Sequence, residues 1–318
     1  MTIRPQDLPE IRADVLHWHL QHGPAFFDIC IRAGKMDIRP AGPTHEAAAY
    51  LAKAEADRIM RADLYWIDAH MAELAMTAAE SLPEFTLMPE DLPSPHGLMV
   101  FEKPVYTYIE DGRQTHLTAV AWGPFNYENF PYGGTWISWY SDRETNLEAE
   151  ANVGSLGNTE KRIMRAALPA LSYDQEEVYP FSPAPLPART SRGQEAQPFS
   201  LDGRYRTSEL LRVSWLLMQQ PLADVSEVEP DRAARKRLRR AGREPAMVRI
   251  IGLRRPKSST DHGNSDREYH HQWVVRGHWR QQWHPKREVH RPVWIAPHIK
   301  GPEGAPLIGG EKVYALKR

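Results

Sequence analysis

The chain has 318 residues, 41% of them apolar, and a formal net charge of −1. That is enough for two ordinary domains with cores of their own, while the lack of any run of about 18 apolar residues excludes a membrane-spanning helix. The opening MTIRPQDLPEIRADVLHWHL has no secretory-signal pattern, and Cys30 as the one cysteine excludes an intrachain disulfide and a cysteine-based zinc site, so a cytoplasmic protein is predicted.

In chain order, residues 8–22 read as a first helix. Residues 44–80 read as a second, because Met60, Leu64, Ile67, Met71 and Leu74 recur at alternating steps of four and three and would form one buried face. Tyr65 and Trp66 beside them are expected in the core. The pattern then changes to strands. LMVFEKPVYTYI (98–109) and THLTAVAW (115–122) are joined through Asp111-Gly112, a hairpin signal, with Pro104 marking an edge or a break. TWISWYS (135–141) follows as a strand, and a short helix is expected near 159–170. Residues 180–198 carry five prolines and read as a linker or surface strap.

Beyond it, SELLRVSWLLMQQ (208–220) is apolar on nearly every side and predicts a buried helix. A helix over about 230–241 ends at Gly242, well placed as its C′ residue. Strands are expected at 247–255, 269–283, 289–297 and 312–316. The reading is an α+β fold. An acidic helical and antiparallel-sheet domain (1–178) precedes the Pro-rich linker or strap (179–205), and a basic part (206–318) adds two helices and a small tryptophan-rich antiparallel β module.

The near-zero net charge conceals a strong asymmetry. Residues 1–200 hold 16 Lys+Arg against 28 Asp+Glu, and residues 201–318 hold 24 against 13. Such a split predicts either a polyanionic partner for the basic half or neutralisation of one half by the other. In DRAARKRLRRAG (231–242), Ala234, Leu238 and Ala241 form a thin apolar stripe, and Arg232, Arg235, Lys236, Arg237, Arg239 and Arg240 cover the rest. Six like charges on three turns repel one another, and phosphates would relieve that repulsion. Helix 208–220 does not make a helix-turn-helix with it, because QPLADVSEVE intervenes and exceeds the short turn that motif needs.

Period-two sorting of 269–283 places Trp273, Trp279 and Trp283 on one face, expected to pack, and Arg276, His278 and Arg280 on the other, about 6.6 Å apart. His290 and Trp294 share a face of the partner strand, where Pro292 points to an exposed edge. Aromatic rings beside arginines suit single-stranded nucleic acid. The predicted nucleic-acid contacts are therefore Arg232, Arg235, Lys236, Arg239, Arg240, Arg243, Arg276, Arg280, Arg291 and Trp294.

A metal-independent ribonuclease or toxin is the catalytic alternative, with His278 or His290 as general base and Arg276 or Arg280 holding a phosphate. The late histidines repeat no ligand spacing, so neither a metal nor another cofactor is expected. The chain has no P-loop, no complete zincin helix, no nucleophile elbow and no acidic residue two positions before any lysine. A third alternative is an interaction module whose basic half docks on an acidic surface, with the acidic first domain available to a protein partner.

The run VVRGHWRQQWHPKREVHRPVWIAPHIKGPEGAPL, together with LPSPHGLMVFEKPV (92–105) and AVAWGP (119–124), resembles a group of actinobacterial and mobile-element proteins. The resemblance extends over most of the chain. It implies no particular reaction, and through the mobile-element association it implies work on nucleic acid.

Overall fold

The computed structural model describes residues 3–36, 39–110, 113–126, 132–152, 157–182, 189–190, 207–254 and 272–300. The first elements are α1 (Leu8–Arg32), α2 (Thr44–Arg61), β1 (Asp63–Ile67), α3 (Ala69–Ala79), β2 (Gly97–Phe101), β3 (Tyr106–Glu110), β4 (Arg113–Phe125) and β5 (Gly134–Asp142). Then come α4 (Arg143–Asn152), α5 (Asn158–Ala167), β6 (Leu171–Pro180), β7 (Arg189–Thr190), α6 (Thr207–Met218) and β8 (Ala223–Val228). The last are α7 (Arg232–Arg240), β9 (Val248–Leu253), β10 (Trp273–Val275), β11 (His278–His284), β12 (Val289–Ile295) and β13 (His298–Lys300).

The fold is α+β. One mixed sheet runs β7-β6-β5-β4-β2-β1-β9-β8, with β3 also paired to β4. At its centre β1 lies parallel to β2 and to β9, and the remaining pairings are antiparallel. Two small antiparallel pairs, β10–β13 and β11–β12, stand apart from it.

The single helix expected over 44–80 is in fact helix, strand, helix. Met60 is exposed on α2, Leu64 and Ile67 belong to β1, and Met71 is buried on α3. The same spacing fits a helix face, but Leu64-Tyr65-Trp66-Ile67 is also a short continuous apolar run, the pattern of a strand buried on both faces. The boundary is set by Asp68, whose Oδ1 accepts a 2.7 Å hydrogen bond from the Met71 amide and caps α3. Tyr65 and Trp66 are core residues, as expected.

Helix α1 continues ten residues past its predicted end, through Pro24. An interior proline costs about 3 kcal/mol. Burial of Phe27 and Ile31 beside Leu51 and Ala52 of α2 offsets that cost. Gly23 is buried at the crossing, and a Cβ there would lie 2.9 Å from that of Ala52.

Two cores flank the sheet. Tyr65 and Ile67 face one layer, with α3, α6, Trp279 and Trp294. Leu64 and Trp66 face the other, with α1 and α2. The strand run 98–109 breaks at Pro104 into β2 and β3, and β3 pairs with β4, while the expected turn Asp111-Gly112 lies outside the described residues. Strands β6 and β8 and helix α4 are additional to the predicted elements. Strands β8 and β9 come from beyond the Pro-rich segment yet extend the sheet begun by the front strands. Most of that segment, and the expected strand 312–316, lie outside the described residues.

Candidate nucleic-acid interface

Helix α7 is built at both ends by local chemistry. Asp231 caps it, its Oδ1 accepting from the Ala234 amide at 2.7 Å. At the other end the Gly242 amide donates to the Arg239 carbonyl at 3.0 Å and the Arg243 amide to the Leu238 carbonyl at 2.9 Å. This closure needs a left-handed residue, and Gly242 has φ +69°. Ala234 and Leu238 are buried beneath the helix.

The six cations of α7 divide into two kinds. Arg237 forms a two-pronged ion pair with Glu10 of α1, at 2.6 and 2.8 Å, and Arg235 pairs with Glu229 at 2.5 Å. Arg232, Lys236, Arg239 and Arg240 are exposed and have no ion-pair partner among the described residues. Counted from Arg232, these four stand at i, i+4, i+7 and i+8, within about 100° of the helix circumference and over about 12 Å of its length. They form a crest opposite the buried Ala234 and Leu238, with the two paired arginines on its flanks. Arg243 is half-buried just beyond. The Arg12 guanidinium is pushed below its usual range, first by burial and then by its neighbour Arg243. Positive charge thus extends past the helix end.

The β11–β12 hairpin departs from the sequence reading. The run expected as one strand over 269–283 is interrupted at Arg276-Gly277, where β10 ends and β11 begins. Trp279 and Trp294 face each other across the hairpin in an edge-to-face contact of 5.3 Å. The Trp279 Nε1–H donates to the Ala78 carbonyl at 2.8 Å, and the Trp294 amide donates to Gln220 Oε1 at 3.1 Å. Trp294 is therefore core and is withdrawn from any ligand. Pro292, expected at an exposed edge, is buried too.

Arg291 is likewise removed from the surface. It is 5% exposed, its Nη2 lies 2.8 Å from Asp91 Oδ2, and its Nη1 donates to the Thr86 carbonyl. Arg287 reaches Glu90 at 3.0 Å and Asp91 at 3.2 Å. Carboxylates of the front half thus hold the hairpin down. Arg276 and Arg280 stay exposed, and Arg280 donates to Gln282 Oε1 at 2.7 Å.

The predicted contacts do not gather on one surface. The hairpin packs on the α3–α6 side of the sheet, whereas α7 is tied through Glu10 to α1 on the other. His278 and His290 do not meet either. Their cross-strand partners are Ile295 and Trp283, so they lie on opposite hairpin faces, five residues or about 17 Å apart along the strands. Neither histidine has the other within reach as an acid–base partner. Among the described residues no group of three His, Cys, Asp or Glu side chains is arranged to hold a metal ion.

One polar cluster was not read from the sequence. Glu55 of α2 is fully buried against β5. Its Oε2 accepts from the Arg58 Nε at 3.0 Å, from the Arg58 Nη2, and from the Ser138 hydroxyl at 2.8 Å. Its Oε1 accepts from the Tyr140 hydroxyl at 2.5 Å, and His19 Nε2 lies 3.3 Å from that hydroxyl oxygen. Burial pushes the Glu55 carboxyl up, but Arg58, His19 and these hydrogen bonds hold it below its usual range. Burial also lowers His19 to about 4, against the opposing pull of Glu55. With the Tyr140 proton directed to Glu55, the neutral imidazole can donate from Nε2, and its buried Nδ1 has no partner. The guanidinium of Arg58 stacks 5.0 Å from the Trp136 ring at the wall of a cleft of about 60 Å³. Apart from His19 Nδ1, these groups satisfy one another and bind α2 to the sheet. The signal for them was faint, since Glu55 and Arg58 at i and i+3 on a helix read as a surface pair.

No protein-family model and no curated protein matches the chain. Among solved structures it is similar to the crystal structure of AcrVA2, at 12% identity and a TM-score of 0.35, over 92% of this chain and 93% of that one. Among the described residues no helix is long and apolar enough to cross a membrane.

Proposed function

We propose that the protein is a cytoplasmic nucleic-acid-binding protein that contacts phosphates through the crest of α7. The observation that carries this reading is the row Arg232, Lys236, Arg239 and Arg240, four exposed cations on one helix face with no ion-pair partner among the described residues. Like charges this close raise the free energy of the folded chain, and a row of phosphates lowers it again while releasing counterions. The flanking pairs with Glu10 and Glu229 hold the helix in place and leave the crest facing outward. The mobile-element resemblance of the sequence leans the same way.

A footprint of four cations sets the scale of the test. In a fluorescence-anisotropy titration with oligonucleotides, log K should fall against log salt with a slope of about −3 to −3.6, which is about 60- to 150-fold between 50 and 200 mM salt. Arg239→Glu combined with Arg240→Glu should weaken binding at least tenfold and flatten the slope. Arg280→Glu, on the other side of the sheet, should leave this phosphate contact in place. Salt-insensitive binding, or affinity unchanged in the double variant, would reject α7 as the contact surface. Binding to an acidic protein but to no oligonucleotide would favour the interaction-module reading.

A further inference from the structure

On the far side of the sheet from α7, the outer end of the β11–β12 hairpin carries a second feature. Of the nine tryptophans whose side chains are described, Trp283 alone is exposed, at 46%. It follows Trp279 by four residues on the same strand face, but it lies beyond the surface of α3 and α6 that receives Trp279 and Trp294. Across the hairpin it meets His290, with ring centroids 5.0 Å apart and planes tilted by 52°. Gln281, on the same face, is exposed as well, and so is Lys286 in the turn. The one acid of the turn is Glu288.

We infer that Trp283, backed by His290, is a stacking platform for an unpaired base of a single-stranded nucleic acid. The inference rests on the nucleic-acid reading but uses a separate surface. A large flat ring open on one side and supported by a second ring offers a π-face to any base, and such stacking tolerates sequence. The Gln281 amide carries donors and an acceptor for a base edge. Lys286 supplies a positive charge for the adjoining phosphate. A duplex keeps its bases stacked on one another and cannot use this platform, so occupancy requires a single strand. The ring's position argues against a packing role, since its hairpin is already anchored by Trp279, Trp294 and the Arg291–Asp91 pair.

The test uses the full chain with a short single-stranded oligonucleotide carrying a fluorescent purine analogue, and an abasic strand of equal length. The analogue should be quenched on binding by the wild type. Trp283→Ala should abolish the quench and weaken binding about tenfold, within the range of base–aromatic stacking, while Trp283→Phe keeps most of both. The abasic strand should bind the wild type as weakly as the intact strand binds Trp283→Ala. Equal quench and affinity in wild type and Trp283→Ala would overturn the platform and leave the α7 contact standing. A change in sedimentation coefficient in Trp283→Ala, with oligonucleotide affinity unaltered, would assign the ring to self-association and overturn it as well. Absence of salt-sensitive binding to any strand would remove both this inference and the reading beneath it.

Discussion

At the scale of single residues, the most consequential group is Glu55. A buried carboxylate facing one guanidinium is stabilising only while both are present, so Glu55→Gln should cost roughly 3–5 kcal/mol in chemical denaturation by leaving Arg58 unmatched. Replacing both partners by apolar side chains of similar volume should cost less than Glu55→Gln alone. His19 gives a pH signature. Its folded pKa of about 4 lies below the 6.5 of an unperturbed histidine, so the unfolded chain binds the proton more readily. Stability from this residue is whole above pH 6.5 and falls as the pH drops toward 4, by on the order of 3 kcal/mol. Denaturation midpoints measured across that window should show the fall, and His19→Gln should flatten it.

At the scale of elements, α7 and the hairpin show how far local pattern carries. The extent of α7, its Gly242 stop and the Ala234 and Leu238 part of its apolar stripe were legible because capping and amphipathic spacing act within one helix, whereas Ala241, expected on the same stripe, is exposed at the C-cap. Which arginines of α7 stay open was not legible, since Glu10 lies more than 220 positions away in the chain. Leu238 is the buried anchor. Leu238→Ala should destabilise the protein by about 2–5 kcal/mol and should also weaken oligonucleotide binding, although no charge is touched. Hydrogen exchange within α7, measured beside the binding curves, would link the two effects. The hairpin was legible as two pairing strands, and of the tryptophans expected to pack on one face Trp279 does so, whereas Trp283 is exposed. The hairpin's depth was not legible, because Arg291 and Trp294 carry no local sign that Asp91 and α6 will cover them. The division of residues 44–80 failed for a related reason. A spacing near 3.5 residues and a four-residue apolar run overlap there, and only pairing with β2 and β9 chooses the strand.

For the whole molecule, the decisive feature is that β1 takes one parallel neighbour from before the Pro-rich segment and the other from after it. A fragment comprising residues 1–178 would expose the β9 edge of β1 and uncover Tyr65 and Trp66. We expect it to lose cooperative unfolding in urea and to aggregate, whereas adding back residues 206–318 in trans should restore solubility. A fragment that unfolds cooperatively by itself would show that the front part folds independently.

What the sequence determined alone were quantities that act over a few residues: the α+β class, the ends and stripe of α7, the hairpin signals, and the charge asymmetry between the halves. The tertiary structure decided how that charge is apportioned. It used Arg237, Arg287 and Arg291 to join the halves, left the α7 crest open, and set α7 and the hairpin on opposite sides of one sheet. The physical reason is range. Caps, turns and periodicity are local, whereas ion pairing and burial depend on which distant segments the sheet brings into contact.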